Sequence, residues 1–89
     1  MALIFRASSD NHGIPHDESI YAMLHGARYE SFEDPRPPHG EATLWIGPSR
    51  FGTLEVIAEV IPPSSVAVFH AMPLRESTAA KVGYNGKEG

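Results

Sequence analysis

Apolar and polar positions divide the chain into a few short segments. Ala2–Phe5, ALIF, is an apolar run of strand length broken by Arg6. Ser8-Ser9-Asp10-Asn11 and Gly13 are turn residues. Pro15 suits the first position of a helix, and Asp17 and Glu18 then fall where the helix dipole favours acids. Ile20, Met23, Leu24 and Ala27 recur at helical spacing, which predicts an amphipathic helix over residues 15–26, stopped near Gly26. Arg28–Gly40 contains Pro35, Pro37 and Pro38 and reads as an irregular loop.

Three strands are predicted next. They are Ala42–Ile46, Leu54–Ile61 and Val66–Ala71, joined by the turns Gly47–Gly52 and Pro62–Ser65. In the second strand Leu54, Val56, Ala58 and Val60 share one face. Glu55, Ile57, Glu59 and Ile61 share the other, which the glutamates mark as the wetter. In the third, period 2 places His70 with Val66 and Val68, and Phe69 opposite. Pro73 ends that strand, and Leu74–Val82 has helix-forming content closed by Gly83. The expected fold is α+β: a small antiparallel sheet of three to four strands, with an N-terminal and a C-terminal helix on one face. Residues 1–84 form a single domain, and residues 85–89 are a polar tail expected to fray.

Composition narrows the function classes. A chain of 89 residues holds one domain with a limited core, so a partner or a second copy can add burial. The absence of cysteine removes disulfides and thiolate metal sites and argues against a small secreted scaffold. The N-terminal apolar run is too short for a signal peptide or a membrane span, which points to a cytoplasmic protein. A net charge of −4 argues against binding nucleic acid by bulk attraction. It leaves room for a local cationic site, since past Glu59 the side chains are slightly basic.

The candidate chemistry lies on VAVFHAMPLR, Val66–Arg75. Histidine transfers protons near neutral pH, and His70 ends an otherwise apolar strand. Arg75, at the mouth of the last helix, carries a guanidinium suited to phosphate. His12, at the first helix entrance, and Arg50, in the turn before Phe51, are within conceivable reach of the same sheet. Lys81 stands on another face of the last helix and ranks with Arg50 as a candidate phosphate contact. Each has a plain structural alternative: a hydrogen-bonded edge histidine, solvated cations, a histidine packed at a helix start. Tyr21, His25 and Arg28 form a second helical stripe that is a partner surface or a solvated flank. The five histidines make no HExxH or HxH pattern, and Gly13 and Pro15 separate His12 from His16. No metal and no cofactor is expected, and no nucleotide-binding or hydrolase motif occurs.

Asn11-His12-Gly13-Ile14 before the helix, Asp34-Pro35 in the loop, Thr43–Gly47 and Leu54–Ile61 as central strands, and Phe69-His70-Ala71 leading to a helix and Tyr84 run nearly the length of the chain. In this plan the sequence resembles the BrnT-like toxins of type II toxin–antitoxin modules. His70 stands where that family usually carries Ser, Met72 where it carries Arg, and Asn11 where it carries Lys. The family is usually basic, and this chain is acidic. The resemblance implies a RelE-like fold, metal-independent cleavage of RNA, and neutralisation by a cognate antitoxin. His70, Arg75 and His12 would then be catalytic, and Arg50 and Lys81 would bind RNA phosphate. The alternatives are a non-catalytic interaction module of the same fold, or a small-molecule-binding domain with Trp45 in its pocket.

Overall fold

The computed structural model describes residues 2–34 and 40–84. The prolines of the expected loop, His39 and the expected tail lie outside the described residues. The fold is α+β, with β1 (Ala2–Phe5), a 3₁₀ turn (Ala7–Asp10), α1 (His16–His25), β2 (Ala27–Asp34), β3 (Gly40–Gly47), β4 (Leu54–Ile61), β5 (Ser65–Pro73) and α2 (Glu76–Val82). The strands form one five-stranded sheet in the order β1-β5-β4-β3-β2. β1 runs parallel to β5 and the other pairs are antiparallel, so the sheet is mixed and larger than expected.

The extra strand is β2, which occupies most of the expected loop. Its alternation is broken by a register shift between Tyr29 and Phe32. Both rings therefore pack on the same core although they are three residues apart.

The helices lie on opposite faces, not on one. Ala22 of α1 joins Trp45, Val56 and Val68 in one core. Leu74 and Val82 cover the other, built on Leu44, Ile46, Ile57 and Phe69. α1 lies close on the sheet because Gly26 and Gly47 lack side chains. A Cβ at Gly26 would overlap the Ile46 carbonyl oxygen, and one at Gly47 the Ala22 carbonyl oxygen. Among the described residues no helix is long and apolar enough to cross a membrane.

A second register shift lies between β4 and β5. Ile57 pairs with His70 and Ala58 with Val68, which leaves Phe69 as the extra residue. Directly paired residues share a face, so this bulge puts His70 on the α2 face with Ile57, away from Val66 and Val68. It also brings His70 onto the face of Glu55, which pairs with Met72 and Ile46. The glutamate side of β4 is therefore not uniformly wet. Glu55 is 0% exposed, whereas Glu59 is exposed and lies 3.6 Å from the Arg6 guanidinium.

Candidate functional site

The site is built around the Glu55 carboxylate, where the ends of β4 and β5 meet the start of α2. Oε1 accepts the backbone N–H of Arg75 at 2.9 Å. Oε2 accepts Nε2 of His70 at 2.8 Å, Nε of Arg75 at 3.0 Å and Nη2 of Arg75 at 2.6 Å. The Thr78 side chain, one turn into α2, also bonds the carboxylate. Burial alone would push the Glu55 carboxyl up. The hydrogen bonds from His70 and Arg75, with that from Thr78, outweigh burial and hold it at about 2. Glu55 is thus an ionised carboxylate in the protein interior at neutral pH.

His70 is 3% exposed, so it lies beneath the surface. Its outer neighbour is His12, whose ring meets the His70 ring edge to face at 5.8 Å between centroids. His12 is exposed and is carried by a fixed turn. Ser8 Oγ donates to the Phe69 carbonyl at 2.7 Å, which ties the 3₁₀ turn to the bulge. Asn11 N–H donates to the Ser8 carbonyl at 3.3 Å, and Gly13 N–H to the Asp10 carbonyl at 3.1 Å. Gly13 then takes a φ of 70°, a left-handed conformation that glycine adopts freely, and the chain turns away into α1. His16 closes the turn through Nε2, 2.7 Å from Asp10 Oδ1, with its ring stacked on Phe5 at 3.9 Å.

The sequence candidates therefore separate into two groups. His70, Arg75 and His12 come together on the α2 side. Arg50 sits at the same end of the sheet but on the α1 side. Its N–H donates to Glu18 Oε1 at 2.9 Å, its Nε bonds Glu18 Oε2, and its Nη2 lies 3.9 Å from Asp17. Lys81 is at the far end of α2, with Nζ 5.4 Å from the centre of the Phe32 ring. Neither cation joins the His70 group. Tyr21 and His25 rings lie 4.2 Å apart on α1, and the Arg28 guanidinium lies 5.7 Å from the Trp45 ring centre. Trp45 itself is buried in the core under α1.

Glu55 is the residue that the sequence reading passed over. The hairpin carried only part of the signal: the tight turn after Ile61 brings position 55 alongside positions 70–72, but an unbroken ladder would put His70 on the opposite face, and only the bulge at Phe69 turns it toward Glu55. An acid near the end of an apolar strand needs a charged or donor partner once buried.

Among the described residues no cluster of three or more His, Asp or Glu side chains is placed to hold a metal ion. The arrangement presents a half-exposed guanidinium and an exposed imidazole, backed by a buried carboxylate and a second imidazole. Chemically it can bind an anion and move a proton beside it. The chain matches no known family profile, and no curated protein or solved structure shows significant similarity to it.

Proposed function

We propose that this chain is an endoribonuclease toxin of the BrnT-like kind, with a RelE-like fold, that cleaves RNA without a metal and is restrained by a cognate antitoxin. The observation that carries this reading is the grouping of His70 and Arg75, from one segment of the chain, on the buried Glu55 carboxylate, with His12 from the turn before α1 packed against the His70 ring. Metal-free cleavage needs a base for the ribose 2′-OH, an acid for the departing 5′-oxygen, and positive charge on the phosphate. His12 meets the substrate, and its imidazole takes the 2′-OH proton as that oxygen attacks phosphorus. Arg75 holds the non-bridging oxygens, whose negative charge grows in the transition state. The P–O5′ bond breaks, the 5′-oxygen takes its proton from solvent water, and the products are a 2′,3′-cyclic phosphate and a 5′-hydroxyl. His70 backs His12 from below the surface.

The test is expression with and without any small reading frame found beside the gene, together with RNA cleavage by purified protein in chelator. Growth arrest relieved by the partner, and cyclic-phosphate ends on the RNA, are the expected results. His12→Ala and Arg75→Ala should each lose about a hundredfold or more in kcat/KM. No arrest and no cleavage would remove the reading.

A specific observation favours the interaction module as a second reading. A groove of about 370 Å³ between α1 and β1 is lined by Leu3, Met23, Leu24, Val60 and Trp45, and Leu24 at its rim is 73% exposed. Such an apolar groove suits a protein partner with or without catalysis at the other face.

A further inference from the structure

We infer that Glu55 is the positioning residue of the proposed RNA-binding face, turning one edge of Arg75 outward and fixing the proton of His70 on Nε2. The inference rests on the ribonuclease reading and adds to it a residue that never meets the substrate.

Arginine offers its donors in a rigid planar fork. Here Nε and one Nη2 hydrogen are directed onto Glu55 Oε2, at 3.0 and 2.6 Å. The Nη1 pair and the second Nη2 hydrogen lie along the opposite edge, and the side chain is 45% exposed. The backbone N–H of Arg75 is held by the same carboxylate at 2.9 Å, so both ends of the residue are fixed. A lysine here would keep the charge and lose this orientation.

The carboxylate acts on His70 in the same way. An ionised carboxylate only accepts hydrogen bonds, so the Nε2 that lies 2.8 Å from Oε2 carries the hydrogen. In the neutral ring Nδ1 is then the nitrogen with the lone pair, and the ring orientation that His12 packs against is set. One buried group therefore orders the guanidinium and, through His70, the exposed imidazole. Glu55→Gln would turn an amide N–H on groups that are themselves donors. Glu55→Asp keeps the charge and shortens its reach.

The experiment uses the full chain as wild type, Glu55→Gln and Glu55→Asp. Nitrogen NMR of the wild type should show His70 as the Nε2–H tautomer. The Nδ1–H tautomer overturns the inference whether or not either variant folds. In a variant that keeps the wild-type circular dichroism, kcat should fall by about a hundredfold with KM changed by no more than about threefold. Cleavage by a folded Glu55→Gln protein within about twofold of wild type overturns it. If the wild type cleaves no RNA, the ribonuclease reading fails and a titration with inorganic phosphate decides the inference alone. Binding weakened about tenfold in a folded variant keeps Glu55 as the group that orients Arg75, and unchanged binding removes it.

Discussion

Glu18 and Glu55 are held by arginines in nearly the same way on opposite faces of the sheet. Each accepts the backbone N–H of its arginine at 2.9 Å and the Nε of the same side chain. Each sits where a helix start meets the end of the strands. The difference lies in what else reaches the carboxylate. Glu18 has Arg50, whose side chain is 73% exposed and shared with Asp17 on the surface. Glu55 is sealed from solvent and also binds His70 and Thr78. A glutamate that clasps an arginine by main chain and side chain is a brace for a corner of the fold. It becomes a candidate site when the same carboxylate also orders a histidine that leads to the surface. Around Arg50 the carboxylates are Glu18 and, nearer the surface, Asp17, whereas Arg75 has the buried Glu55 carboxylate on its inner edge, shared with His70.

Neutralising the two glutamates separates a deep brace from a shallow one. Glu55→Gln should cost about 3–5 kcal/mol, because it breaks a buried pair and leaves the remaining partners mismatched. Glu18→Gln should cost less, since Glu18 is covered but its partner Arg50 is 73% exposed and can turn to water. Urea unfolding of both variants checks this, and equal losses would remove the distinction.

Acid should reveal the same asymmetry more gently. The Glu55 carboxyl is lowered from its ordinary 4.5 to about 2. Its folded pKa lies below its unfolded one, so its contribution is fully present above pH 4.5 and is lost as pH falls toward 2. Glu18 is also lowered, first by the backbone N–H of Arg50 and then by its side chain. Stability measured from pH 6 downward should fall in the wild type below about pH 4.5, and the fall should flatten more in Glu55→Gln than in Glu18→Gln. A wild-type curve level down to pH 2 would contradict the ion cluster around Glu55.

Much of the frame was legible in the sequence because its residues obey one local period. β4 occupies the expected residues, and α1 falls within one residue of its expected ends, where Pro15 and Gly26 mark them. The misreadings fall where a period breaks. Tyr29 and Phe32 point the same way only because β2 bulges between them, so no alternation announced a strand. His70 changed faces through the bulge at Phe69, one residue that pattern reading counts like any other. The placement of both helices depends on which faces carry enough apolar area, a property of the assembled sheet. His70, Arg75 and His12 lie together, whereas Arg50 and Lys81, cations of the same kind as Arg75, do not join them. Charge is read residue by residue, while company is read only from the fold.

The smallest expected effect is therefore the most discriminating one. Arg50→Ala removes a cation from the same end of the sheet as Arg75, but from the α1 face. If the proposed chemistry follows general positive charge at that end, cleavage should drop with either arginine. If it belongs to the Glu55 cluster, Arg50→Ala should leave kcat/KM within about twofold of wild type, while Arg75→Ala loses about a hundredfold or more. Salt sharpens the comparison, because an effect of Arg50 through the solvent would fade as ionic strength rises. A loss in Arg50→Ala that persists at high salt in a folded protein would mean that RNA crosses both faces of this end of the sheet, and that Glu18 and Glu55 brace two halves of one binding surface.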